Sequence, residues 1–305
     1  MVTAEAPATT MTAGAAVNGA VLRLRSAGSP TPRLDAELLV GYVLDRDRAW
    51  LLAHQEAPIA REEQTRLSAL VDRRAAGEPV AYLRGFKEWY GMRLATDHRA
   101  LIPRPETELL VDLAVTEIAR RLTADDRPIL VWDVGTGSGA VAVALARRFR
   151  AALALGRVRL VASDVSPDAV ELAAENLAAH GVDRLVVLQV ADLLQPVGED
   201  PAAPDVMVAN LPYVPARDVD AGAGSLAWEP RTALDGGPDG LDVVRRLVDR
   251  LPYHLAPAGV ALLEVGADQA ADVRAMVDGL LGRWSHTVAE DLAGRERIVV
   301  VSRQP

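Results

Sequence analysis

The sequence predicts an α/β fold, with a mostly parallel sheet that ends in an antiparallel hairpin and a small helical unit in front of it. Three observations carry this. From Pro128 onward, short apolar runs alternate with helix-period segments, and such alternation requires crossover connections between parallel strands. One of these runs, Ile129 to Val134, feeds straight into a glycine-rich turn. Before residue 79 the apolar residues recur at helical spacing instead.

Each element follows in order. Residues 1–16 are rich in Ala and Thr and lack an early Lys or Arg, so a disordered tail is expected rather than a signal peptide. Residues 17–79 are expected as a helical domain. Val21, Leu22 and Leu24 open a stripe that Pro30 and Pro32 interrupt. Leu34, Leu38, Leu39 and Val43 are spaced for the face of a second helix, and Leu67, Leu70 and Val71 continue through a third that ends near Gly77. Residues 80–101 gather Tyr82, Phe86, Trp89 and Tyr90 around Gly85 and Gly91, which predicts a β-hairpin linker. Pro103 and Pro105 stop any strand, and Pro105-Glu106 suits the first turn of a helix running to about Leu122. The remaining domain is expected over 102–305, with strands at 129–133, 158–163, 185–190, 205–209 and 259–264. Its helices are expected at 139–150, 167–179, 240–255 and 268–281. The runs 284–290 and 296–302, close together around Gly294, form the terminal hairpin.

Composition narrows the function. The chain has 305 residues, half of them apolar, with 33 basic against 42 acidic side chains and a net charge of -9. Nucleic-acid affinity rests on clustered Lys and Arg, so a global phosphate-binding surface is not expected. Lys87 is the sole lysine, which codon bias in a GC-rich genome accounts for. With no cysteine, thiolate metal sites and cysteine nucleophiles are excluded; no metal site is expected. No apolar run approaches the roughly 20 residues of a membrane helix, and the expected compartment is the cytoplasm.

The chemistry is expected where strands end. Val206 to Ala209 reads as a buried strand that stops at Asn210-Leu211-Pro212-Tyr213. Open α/β sheets bind ligands at such carboxyl ends. There the Asn210 side-chain oxygen and the Leu211 backbone carbonyl can accept both hydrogens of a planar –NH2 group, while Pro212 shapes the turn and Tyr213 covers the flat face. Gly135-Thr136-Gly137-Ser138-Gly139-Ala140 follows the strand Ile129–Val134 and lets the backbone approach a ligand closely. This loop also fits the dinucleotide pattern G-x-G-x-x-A. Asp133, just before it, would be a poor neighbour for a pyrophosphate and a good one for an ammonium. Asp164 ends the next strand, where a carboxylate can bind ribose hydroxyls or act as a helix-start acid before Pro167. Asp192 can meet an adenine amino group, and Leu193 can pack on the base. A nucleoside carrying an amino acid tail, S-adenosylmethionine, satisfies all three strand ends.

Together Gly135-Thr136-Gly137-Ser138-Gly139, Asp164 and Asn210-Leu211-Pro212-Tyr213 resemble class I methyltransferases that alkylate planar nitrogens. Pro79-Val80-Ala81-Tyr82-Leu83 and Leu101-Ile102-Pro103-Arg104-Pro105-Glu106-Thr107-Glu108 resemble the peptide chain release factor glutamine methyltransferases. Glu229-Pro230, Ala233-Leu234 and Gly237-Pro238-Asp239-Gly240-Leu241 are similar too, so the resemblance runs from about Val21 to Val301. It implies a helical substrate-recognition domain, a hairpin linker and a Rossmann-like catalytic domain. The implied reaction is methylation of the glutamine amide in the Gly-Gly-Gln loop of release factors, with no direct contact to nucleic acid or membrane. The family usually carries Asn-Pro-Pro-Tyr; Leu211 replaces its first proline and loses a fixed φ angle. The Asn-Leu-Pro-Tyr form resembles ribosomal RNA adenine dimethyltransferases, so methylation of exocyclic amines, or of a ribosomal protein glutamine, stays as an alternative. Arg104 and Glu229 are expected at the substrate pocket, with Glu229-Pro230 ending a lid formed by the long loop 214–239. Arg104 paired with Glu106 is the structural alternative. Trp89 and Tyr90 read as linker core ahead of a substrate platform.

Overall fold

The computed structural model describes residues 11–124, 126–195, 203–222 and 224–304. The chain divides after Gly85 into the units Met1–Gly85 and Phe86–Pro305.

The first unit comprises α1 (Ala13–Ser26), α2 (Pro32–Leu44), α3 (Arg48–Ala53), α4 (Arg61–Ala75) and α5 (Val80–Arg84). Residues 13–16, expected in the tail, are helical, with Ala13 and Ala16 buried. Thr12 caps the helix by accepting from the Ala15 N–H at 3.3 Å, and alanine is the strongest helix former. Residues 1–10 lie outside the described residues. Leu24, Leu39, Val43, Leu67, Leu70 and Val71 pack in one core, whereas Leu22 and Leu34 face outward. Ala36 and Val40 take the inner face of α2 instead, because small and β-branched side chains let α1 and α2 approach. Two buried acids tie this unit together. Asp35 accepts from the Ser29 and Thr31 hydroxyls and from Arg74 Nε; Glu37 accepts from Arg33 and Arg48. Residues 80–84, expected at the start of the hairpin, form α5, which Gly85 ends at φ 74°.

The second unit opens with the hairpin β1 (Phe86–Trp89) and β2 (Met92–Ala95). Tyr90 (φ 49°) and Gly91 (φ 66°) form its two-residue turn, the primed geometry whose twist suits paired strands. In order follow α6 (Thr107–Ala124), β3 (Ile129–Val134), α7 (Ala140–Arg148), α8 (Arg150–Ala154), β4 (Val158–Asp164), α9 (Pro167–Ala179), β5 (Val186–Val190) and β6 (Val206–Ala209). Then come α10 (Ala216–Asp220), α11 (Asp242–His254), β7 (Val260–Glu264), α12 (Ala270–Asp278), β8 (Trp284–Glu290) and β9 (Glu296–Arg303). Among the described residues these strands form a seven-stranded sheet ordered β5-β4-β3-β6-β7-β9-β8. β3 to β7 run parallel; β9 runs antiparallel to β7, and β8 to β9.

Both faces are covered. Ile129 and Val131 pack with α6 and α7, while Leu130, Trp132 and Val134 pack with α11 and α12. A strand buried on both sides has no polar face, hence its unbroken apolar run. The strand order reverses between β3 and β6, which leaves a crevice at their carboxyl ends. No helix among the described residues is long and apolar enough to cross a membrane.

Candidate active site

A cavity of about 210 Å³ opens at that crevice. Its floor is the glycine turn. Gly135 (φ 72°) and Gly137 (φ 54°) occupy the left-handed region that favours glycine. The Gly135 and Thr136 amides donate to the Ser163 carbonyl at 2.9 and 2.8 Å, which fastens the turn to β4. A Cβ on Gly135 would come within 2.9 Å of Leu211 Cδ2. Thr136, Gly137 and Ser138 line the cavity. Gly139 does not line it. A Cβ there would sit 3.0 Å from Ala173, so this glycine lets α7 close on α9. Behind the loop, buried Asn176 donates to the carbonyls of Ser138 (2.8 Å) and Ala95 (3.1 Å) and accepts from the Ala95 amide (2.7 Å).

Three acids surround this floor. Asp133 is buried, and burial pushes its carboxyl up to about 7; Asp164 adds to the rise, while the Thr136 hydroxyl, donating at 2.7 Å, works against it. An incoming cation would favour the charged form of such a group. Asp164 accepts one backbone amide on each oxygen, from Gly137 and Ser166, both at 2.9 Å. Each oxygen keeps a lone pair for a hydroxyl. Burial raises its pKa, and those backbone bonds oppose the rise. Asp192 lines the cavity but is engaged by Arg246, with Arg250 donating to its backbone carbonyl at 2.9 Å. Leu193, beside it at φ 56°, is buried against the core and also lines the cavity.

Opposite the glycine turn, Asn210, Leu211 and Pro212 leave β6 and line the same cavity. The Asn210 amide donates to Thr107 Oγ1 at 3.0 Å, and Thr107 opens α6. Tyr213 is placed differently from expectation. It does not line the cavity, and its hydroxyl lies in the field of buried Glu264, Arg297, Arg104 and Glu106. Burial first and Glu264 second push that phenol up to about 12. The Tyr213 carbonyl accepts from Gln269 Nε2 at 2.9 Å.

Arg104 lines the cavity and donates to Glu229 at 2.6 Å, not to Glu106. Glu229 itself is buried away from the cavity; its second oxygen accepts the Ile102 amide at 3.0 Å. It clamps residues 102–104. The Arg104 carbonyl in turn accepts from Trp89 Nε1 at 2.7 Å, which puts Trp89 in the linker core. The expected lid is built from short helical turns rather than open loop. α10 and residues 224–228 and 231–233 are wound, Val214 bridges Asp235, and Pro230, Thr232 and Ala233 reach the cavity.

Arg99, Ala100, Thr107, Arg246 and Glu264 escape sequence reasoning as site residues. Arg99 lines the cavity while gripping Asp97 and Glu175. Only the position of Thr107 inside the string Ile102 to Glu108 offers a signal.

The site can therefore hold a nucleoside with a cationic tail: Asp133 for the cation, the Gly135–Gly137 turn beneath it, Asp164 for two hydroxyls, and Leu193 against a flat base. Asn210, Leu211 and Pro212 line the opposite wall.

Residues 15–85 match the family described as PrmC N-terminal domain, and residues 112–213 that described as ribosomal protein L11 methyltransferase (PrmA). A release factor glutamine methyltransferase of Koribacter versatilis is 37% identical over 297 residues, spanning 97% of this chain and 99% of the relative. That of Deinococcus radiodurans is 38% identical over 286 residues, 93% of this chain and 96% of the relative. Among solved structures, the hMettl16 catalytic domain in complex with MAT2A 3'UTR hairpin 6 aligns with a TM-score of 0.52 at 13% identity. That alignment covers 80% of this chain and 82% of the other, a likeness of fold. On sequence shared across nearly its whole length, this chain belongs to the release factor glutamine methyltransferase family.

Proposed function

We propose that this chain transfers a methyl group from S-adenosylmethionine to the side-chain amide nitrogen of the glutamine in the Gly-Gly-Gln motif of peptide chain release factors. One observation carries the reading. The Asn210 turn and the Gly135–Asp164 cradle line a single cavity, so an acceptor amide and a nucleoside can meet face to face. When bound, the cofactor supplies an electrophilic methyl on a sulfonium sulfur.

The protein's task is positioning. A glutamine amide nitrogen is a poor nucleophile because its lone pair is delocalised into the carbonyl. The Asn210 side-chain oxygen and the Leu211 carbonyl accept its two hydrogens, aim the nitrogen into the cavity, and favour positive charge on it as the bond forms. The spare proton leaves to solvent after transfer. Preorganised dipoles and orientation supply the rate. Tyr213 contributes from behind the turn rather than by covering the amide. Asp133 takes the ammonium of the cofactor tail, Asp164 the ribose hydroxyls, and Asp192 with Leu193 the adenine, with Asp192 sharing its carboxylate with Arg246. Arg104, held by Glu229, borders the acceptor path. The helical unit Met1–Gly85 grips the release factor outside its glutamine loop, in the cytoplasm where translation ends.

The test incubates the protein with radiolabelled S-adenosylmethionine and a purified release factor. Label enters the factor, and none enters the same factor with its loop glutamine replaced. Label that persists after that replacement refutes the assignment.

A further inference from the structure

An amide side chain is nearly symmetric in shape, so only its hydrogen-bond partners decide whether it presents oxygen or nitrogen. The role given above to Asn210 requires oxygen toward the acceptor. Its nitrogen must therefore be held on the other side, and Thr107 Oγ1 holds it, 3.0 Å away. A hydroxyl alone does not fix this choice, because it can donate as readily as accept. Something has to take the hydroxyl hydrogen.

Glu264 ends β7, the strand next to β6, and is fully buried, and neither carboxylate oxygen has a partner at full hydrogen-bond geometry. An unpartnered buried carboxylate is costly. The Thr107 hydroxyl interacts with it, as does that of Tyr213. An ionised carboxylate only accepts. Its charge therefore favours the Thr107 hydrogen on the Glu264 side, which leaves the Thr107 lone pairs to accept from Asn210.

We propose that Thr107 is a positioning residue, oriented by Glu264, that locks the Asn210 amide with its oxygen toward the acceptor. This rests on the reading of Asn210 given above. It also makes the lock depend on the charge of Glu264. Burial, with Glu106 adding to it, pushes that carboxyl up to about 7 against the opposing pull of Thr107, Arg297 and Tyr213. Once protonated, Glu264 can donate to Thr107, which then donates to the Asn210 oxygen and favours the turned amide.

The test compares Thr107→Val, which keeps the shape and loses the hydroxyl, with Thr107→Ser, which keeps the hydroxyl. Turnover of a purified release factor is measured at saturating S-adenosylmethionine, and cofactor affinity by calorimetry. Thr107→Val lowers kcat by about 10–100-fold with cofactor affinity unchanged, and Thr107→Ser restores most of it. Wild-type kcat in Thr107→Val, or an equal loss in Thr107→Ser, overturns the inference. Should Thr107→Val not fold, the pH profile decides. Wild-type kcat declines below about pH 7 as Glu264 takes a proton, and Glu264→Gln lacks that decline. A decline that persists in Glu264→Gln overturns the inference. Asn210→Ala separates the two levels. If it keeps turnover, the role of Asn210 is wrong; if it is inactive while Thr107→Val is normal, only the lock is wrong.

Discussion

Asp164 and Asp133 show how the same residue type does different work at neighbouring strand ends. Asp164 spends one lone pair per oxygen on the backbone amides of Gly137 and Ser166, so it is already aimed before any ligand arrives. Asp164→Ala weakens S-adenosylmethionine binding by about 1–3 kcal/mol, the worth of charged hydrogen bonds; calorimetry reads this directly. Among the described residues Asp133 has only the Thr136 hydroxyl as a side-chain partner, and burial raises it from 3.8 to about 7. A raised folded-state pKa contributes stability that is complete below the unfolded value and is lost as pH rises through the folded one. Cofactor-free Asp133→Asn therefore melts higher than the parent protein at about pH 8, and the difference closes toward about pH 4. The same variant binds S-adenosylmethionine more weakly at the higher pH, because the ammonium has lost its counter-charge. A parent protein that melts higher at the alkaline end removes the desolvation argument.

At the scale of elements, one side chain holds three pieces in place. Asn176 on α9 joins the glycine turn through Ser138 to the hairpin strand β2 through Ala95, using both ends of its amide. Asn176→Ala leaves buried backbone groups unpaired and costs about 2–4 kcal/mol, read from denaturant unfolding of the intact chain. Cofactor affinity falls with it, since the turn loses its brace. The strands themselves are legible in the sequence. Doubly covered parallel strands such as β3 and β6 carry continuous apolar runs, and their boundaries lie within a residue or two of expectation. α8 and α10 are not legible, at five residues each, because one turn is too short for a 3.6-residue period to declare itself. Among site residues, those at the carboxyl ends of β3, β4 and β6 are readable because the strand-order reversal there dictates the task. Glu264 and Arg297 are not, since they meet Tyr213 only through strand pairing across β7 and β9, which no local pattern encodes. Glu229 is half legible: its motif marks it, yet only the folded chain reveals a clamp on the Ile102 amide.

For the whole molecule, each unit has its own apolar core. The cavity is lined solely by residues after Gly85 among those described. Residues 86–305 expressed alone keep S-adenosylmethionine affinity within about 3-fold of the full chain, as expected when a domain carries its own core. They lose turnover of an intact release factor by a far larger factor. Undiminished turnover by that fragment withdraws the recognition role from the helical unit.

The contact between Leu211 and Gly135 joins donor and acceptor in a way a proline ring, being shorter, does not reproduce. The leucine tip lies 2.9 Å from where a Cβ on Gly135 would stand, so the acceptor clamp and the donor cradle share a common hinge pin. Trimming that pin with Leu211→Ala loosens both partners together: the dissociation constant for S-adenosylmethionine and the KM for the release factor rise in step. Such a double response is the signature of a bireactant site whose two halves are mechanically one.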